Sequence, residues 1–142
     1  MYGSPHRRNG RSASTYADVG LETKVMSASP GQLITLLFEG ADAALVKAKG
    51  HLLHNQAPQR GMAISKAIDI IDSGLKSSLD MSAGGDLAKS LSQAYDLIIQ
   101  HLMMANLEAD LDRLELAQKM LASISEGWQQ NLANLAAPSQ TV

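Results

Sequence analysis

The chain has 142 residues, 45% of them apolar but only 4% aromatic, with no cysteine and a formal net charge of −2. That length is one domain with room for a real core, and the core must be built from Leu, Ile, Ala and Met, a composition that favours helices over a sheet. The missing thiols exclude a disulfide scaffold, thiolate metal sites and cysteine catalysis, and they fit a reducing, cytoplasmic setting.

Residues 1–15, with Gly3, Ser4, Pro5, Asn9, Gly10, Ser12 and Ser14, read as a disordered tail. Arg7, Arg8 and Arg11 are not followed by a hydrophobic stretch, so neither a secretory nor a twin-arginine signal is expected. Residues 16–29 form a sparsely apolar arm (Tyr16, Val19, Leu21, Val25, Met26), too poor to fold alone and rich enough to dock. Up to residue 29 there are four basic groups against two acidic. The remainder has eight against twelve. A weakly acidic body lacks the clustered Lys and Arg that phosphate neutralisation needs, so no nucleic-acid partner is expected.

Ser29-Pro30-Gly31-Gln32 opens the first helix. Ser29 is placed to accept from a first-turn N–H, Pro30 gives up a donor that has no partner anyway, and Gln32 reaches back to the cap. This helix runs from about Pro30 to His54 on the stripe Ile34, Leu37, Ala41, Leu45, Ala48 and Leu52. After a break over Asn55 to Gly61, a second helix from roughly Gln59 to Leu79 carries Ile64, Ile68, Ile71, Leu75 and Leu79, with Gly74 as a weak point. Ser82-Ala83-Gly84-Gly85 is a turn. The third helix starts near Asp86 on the stripe Leu87, Leu91, Ala94, Ile98, Leu102 and Ala105. Asp112-Arg113-Leu114-Glu115 has the form of a capping box for the fourth, which carries Leu114, Leu121, Ile124, Trp128, Leu132 and Leu135 and ends before Pro138; residues 137–142 are a tail. Four amphipathic helices with short connections make residues 30–136 an all-α, antiparallel up-down four-helix bundle with a flexible N-terminal arm or cap. No apolar run reaches the length of a membrane span, so no membrane insertion is expected.

Catalytic patterns are absent: there is no P-loop, dinucleotide fingerprint, nucleophile elbow or H-E-x-x-H. Bundles host di-iron and haem groups, but Glu39, Glu108, Glu115 and Glu126 have no histidine three residues on. His101 reads as a flank residue rather than a haem ligand, and His51 and His54 as a solvated pair at a helix end. No enzyme activity, metal or cofactor is expected. The apolar surplus is more telling, for Leu33, Leu36, Phe38 and Val46, Met62 and Ile70, and Tyr95, Leu97, Ile99, Met103 and Met104 exceed one seam per helix. Half of that surplus is a wide core face. The rest reads as a Met-bearing groove for an amphipathic segment, which the Tyr16–Met26 arm is placed to cover.

In order, these landmarks resemble the flagellin-specific export chaperone family, FliS. The matching pieces are Tyr16, Val25-Met26-Ser27-Ala28-Ser29-Pro30-Gly31-Gln32-Leu33-Ile34, and Leu36-Leu37-Phe38-Glu39-Gly40-Ala41, with Phe38 where the family usually has tyrosine. Leu79-Asp80, Gly84-Gly85-Asp86, Leu91 to Asp96, Ala105-Asn106 and Trp128 continue the match over roughly residues 16 to 130. The resemblance implies a cytoplasmic chaperone that binds the C-terminal segment of flagellin, one to one. It would keep that segment from polymerising and deliver it to the flagellar type III export gate. It also implies a role for Tyr16 in docking to an export-gate component, and an arm that covers apolar surface when cargo is absent. The expected partner-binding residues are Tyr16, Met26, Leu33, Leu36, Tyr95, Met103, Met104 and Asn106, with Trp128 read as core. The competing reading is a non-catalytic adaptor acting through a weak homodimer or another partner helix.

Overall fold

The computed structural model describes residues 28–136, and side chains as far as residue 133. The expected tails (1–15 and 137–142), the arm up to residue 27 with Tyr16 and Met26, and the side chain of Leu135 lie outside the described residues. The chain divides into two compact units, Met1–Leu33 and Ile34–Val142, and the second holds the bundle.

Helix α1 spans Pro30–Leu53. Its capping box forms as read: the Gln32 N–H donates to Ser29 Oγ at 3.2 Å and the Ser29 N–H donates to Gln32 Oε1 at 3.0 Å. At its other end Asn55 takes φ 55°, a left-handed conformation that Asn tolerates. The N–H groups of Asn55 and Gln56 then close on the carbonyls of Leu52 and His51, which satisfies two of the last orphan acceptors. His51 and His54 sit at this end, their Nδ1 atoms each 2.7 Å from Gln56 Oε1 and the Gly50 carbonyl.

Helix α2 spans Ala57–Asp69, starting earlier than the expected break allowed because Pro58 falls in the first turn, where no donor is needed. At Ile70 it widens into a π-helical stretch, Ile70–Leu75, and closes with a 3-10 turn, Lys76–Ser78. The weak point is real. A Cβ on Gly74 would meet Leu37 at 3.0 Å, so α1 packs where a side chain would otherwise stand. The hydroxyls of Ser77 and Ser78 donate to the carbonyls of Asp72 and Gly74 that the irregular end leaves over.

The turn to α3, which spans Gly85–Glu108, is built on Asp80. Its carboxylate accepts from the Ala83 N–H at 2.9 Å and from the Ser82 hydroxyl and N–H at 2.9 and 3.1 Å, and these bonds hold it below the usual carboxylate range. Leu87, expected on the core stripe, is instead 69% exposed: it stands in the first turn, and the core on α3 begins at Ala88. Helix α4 spans Leu111–Ala136. Its cap is Asp110, two residues before the expected Asp112: Asp110 Oδ1 accepts from the Arg113 N–H at 3.1 Å. Ala109 at φ 51° ends α3, and the Asp110 N–H returns to the Ala105 carbonyl, so one aspartate closes one helix and opens the next. Glu115, the presumed box partner, pairs with Lys49 at 2.7 Å, which pulls its carboxyl pKa down.

Cross-helix contacts fix the topology. Thr35–Trp128, Asp42–Gln118 and Lys49–Glu115 join α1 to α4 in opposite directions, and Arg60–Asn106 and Lys76–Asp96 do the same for α2 and α3. The result is an antiparallel up-down four-helix bundle. Ion pairs as exposed as Lys49–Glu115 add little stability; the apolar core holds the bundle. It alternates Leu45, Ile64, Ile71, Leu75, Ile98, Leu102, Leu114 and Leu121 with Ala41, Ala44, Ala48, Ala67, Ala105 and Ala117, so large side chains fill the spaces over small ones. Trp128 packs against this core, half-buried, and its indole N–H donates to Thr35 Oγ1 at 3.2 Å.

Tyr95, expected on the groove, belongs to the core at 3% exposure, and burial pushes its phenol up to about 12. The unfolded phenol ionises near 10, so the unfolded chain loses a proton that the folded one keeps, and stability falls as pH rises from 10 towards 12. Thermal melts should therefore show Tyr95→Phe gaining on the wild type above pH 10; a constant difference across that range would contradict the buried neutral phenol. At the turn, a Cβ on Gly84 would stand 2.6 Å from the Asp80 carbonyl oxygen and from Ala88 Cβ, while Gly85 has φ 56° and open space around it. Urea unfolding should show Gly85→Ala costing about 1 kcal/mol through its left-handed backbone and Gly84→Ala costing about 2 kcal/mol or more through overpacking.

Candidate functional site

The surface with the most built character lies where the start of α2 meets the end of α3. Two of the three atoms Asn106 offers are taken by Arg60. The Arg60 Nε–H donates to Asn106 Oδ1 at 3.0 Å, and its Nη2 donates to the Asn106 carbonyl at 3.1 Å. The second bond has a local reason. Asn106 is in the last turn of α3, where carbonyls have no partner further along the helix, and a guanidinium suits the negative end of the helix dipole. The first bond orients the amide: with Oδ1 committed to a donor, Nδ2 must be the other branch. Among the described residues that NH2 has no hydrogen-bond partner.

Gly61 lies beside it. A Cβ there would be 3.7 Å from Asn106 Nδ2 and 3.8 Å from Oδ1, an ordinary contact, so the missing side chain leaves the amide uncovered without being demanded by the backbone. The resulting open groove, of about 570 Å3, is lined by Pro58, Gly61, Met62, Ser65, Lys66, Asp69 and Asn106. Met62 is 74% exposed at its edge. On α3, Ile99 and Met103 stand at i−7 and i−3 from Asn106, on the same α2-facing stripe, and Met103 is 58% exposed. From Leu97 to Leu107 the chain has no Asp, Glu, Lys or Arg, so Leu97, Met103 and Leu107 stand exposed along three turns of helix that carry no charge between Asp96 and Glu108.

The expected binding residues therefore separate. Asn106 lines this groove, and Met103 stands one turn before it on α3, exposed but not among the lining residues. Met104 is turned about 100° further round α3 and half-buried. Leu36 lies on the side of α1 opposite its core stripe, half-buried, as is Leu33 one turn earlier. Tyr95 packs inward. Gly61 and Ser65, which line the groove, and Arg60, which holds Asn106, are residues the sequence reading did not single out. Their signal was a pair of small residues one turn apart, Gly61 and Ser65, flanking an unneeded Met62.

An uncovered amide donor in a groove edged by the Met62 thioether and floored by small residues, with Met103 exposed one turn away, is equipped to hold a chain segment: apolar side chains against the methionines, a backbone carbonyl on Asn106. Among the described residues no group of three or more His, Asp or Glu could hold a metal ion, and no helix is long and apolar enough to cross a membrane.

Comparison with known proteins agrees with the order of landmarks along the chain. The family described as Flagellar protein FliS matches residues 12–135. The flagellar secretion chaperone FliS of Salmonella typhimurium is 48% identical over 115 residues, covering 81% of this chain and 85% of that protein. The protein of the same name from Escherichia coli K12 is 36% identical over 122 residues, covering 86% and 90%. Flagellar secretion chaperone FliSB of Pseudomonas aeruginosa is 37% identical over 113 residues, covering 80% and 89%. With a match that takes in all four helices and the α2–α3 groove between them, the chain belongs to the FliS family of flagellar proteins.

Proposed function

We propose that this protein is a cytoplasmic, non-catalytic export chaperone for flagellin. In this reading it binds the C-terminal segment of newly made flagellin one to one, keeps it from polymerising and hands it to the flagellar type III export gate. Residues 30–136 are the chaperone body, and residues 16–29 are the arm, with Tyr16 the gate-facing residue. Membership of a family whose relatives are named flagellar secretion chaperones supports the function. The single observation that carries the site is the uncovered Asn106 amide beside Gly61, in a groove edged by the exposed Met62.

The energetics fit a reversible holder. Burying the apolar stripe of a segment contributes about 25 cal/mol per Å2 of apolar area, and ordering a disordered chain takes back several kcal/mol of it. The expected net is micromolar affinity or somewhat tighter, enough to cap the segment and weak enough for release without nucleotide hydrolysis. Met103 and Met62 adapt to successive side chains of a passing segment, while Asn106 fixes its depth.

Calorimetric titration with the C-terminal segment of the cognate flagellin should give saturable one-to-one binding with a negative heat-capacity change. Gly61→Leu, which sends a side chain into the groove from a backbone that tolerates a Cβ, should weaken binding at least tenfold with an unchanged melting temperature. Asn106→Asp keeps an acceptor for Arg60 and removes the NH2 donor; it should cost about 1–2 kcal/mol of binding, roughly tenfold. Equal affinity in both variants would move the cargo off this groove. A concentration-dependent dimer with no flagellin binding would favour the adaptor reading instead.

A further inference from the structure

We propose that Met62 and Met103 are a reversible oxidation site that switches the α2–α3 groove off. This rests on the reading of that groove as the cargo site. The chain has seven methionines and no cysteine, so among its side chains sulfur redox chemistry belongs to thioethers alone. Met62 lines the groove on α2, Met103 is on α3 one turn before the groove residue Asn106, and both are largely exposed. Met62 lines it next to Gly61, and Met103 is one turn from Asn106, about 4.5 Å along the α3 axis. Met104 and Met120 are half-buried against the bundle, so a soluble oxidant reaches them less freely. Met81, 50% exposed, stands on the α2–α3 turn at the opposite end of these helices and serves as an internal control.

The reaction is an oxygen-atom transfer from a peroxide. The thioether sulfur attacks one oxygen of hydrogen peroxide, the O–O bond breaks, and an S–O bond forms. Sulfur gives up two electrons, and the departing hydroxide takes the proton left on the transferred oxygen to become water. The sulfoxide is polar and pyramidal where the groove offered a flexible apolar contact. Methionine sulfoxide reductases, drawing electrons from thiols, restore the thioether.

The test uses the full chain treated with graded hydrogen peroxide, with peptide mapping and calorimetric titration on the same samples. Met62, Met103 and Met81 should oxidise before Met104 and Met120, and affinity for the flagellin segment should fall at least tenfold in step with Met62 and Met103, at unchanged helicity. Treatment with the two sulfoxide reductases and dithiothreitol should restore it. The Met62→Leu/Met103→Leu double variant, compared with its own untreated sample, should show no further loss of affinity on peroxide treatment, whereas Met81→Leu should remain as sensitive as the wild type. Undiminished binding by oxidised wild type, or equal loss in the double variant, would overturn the switch while leaving the groove as cargo site. No binding by the untreated wild type would overturn the cargo reading and the switch together.

Discussion

The clasp of Arg60 on Asn106 is the contact on which the functional surface depends. It does three things with one guanidinium: it satisfies a terminal carbonyl of α3, ties the start of α2 to the end of α3, and fixes which branch of the Asn106 amide faces out. The first gives the contact a structural reason to exist. The third gives it a functional consequence, since a bundle surface otherwise offers few backbone-like donors. Gly61 completes the arrangement by leaving the donor uncovered.

The groove is a departure from good surface design, and the departure is informative. A soluble helix ordinarily intersperses charges among its exposed positions, both for solubility and against unwanted association. Helix α3 omits them from Leu97 to Leu107. The core below makes no such demand, because Ile98, Leu102 and Ala105 already fill it. A surface that costs solubility and adds nothing to the core is accounted for by something that binds there. The alanine-rich layers and the Gly74–Leu37 approach keep the scaffold rigid enough that binding need not order the body itself.

Much of this was legible in the sequence because periodicity and caps are local. The Ser29–Gln32 box, the four stripes and the antiparallel order all follow from residues within a few turns of one another. The misreadings share a cause. Asp112–Glu115 matched a capping box, yet Asp110 took the cap because the left-handed turn at Ala109 had already brought its backbone into position. Leu87 matched a seam whose buried positions begin only one residue later, at Ala88. Tyr95 was assigned to the groove as part of the apolar surplus on α3, but burial was decided by the helices around it. The groove itself was half-visible: Met103 and Asn106 were marked by their chemistry, while Arg60 and Gly61 acquire meaning only from a helix 46 residues away in sequence.

The absence of native cysteine permits a direct test of where cargo lies. A single cysteine at Ser65, on the groove, or at Ser123, on an exposed position of α4, is labelled with a benzophenone and irradiated with the C-terminal flagellin segment. The account predicts a strong one-to-one crosslink from position 65 and little from position 123. Crosslinking from 123 with none from 65 would contradict it.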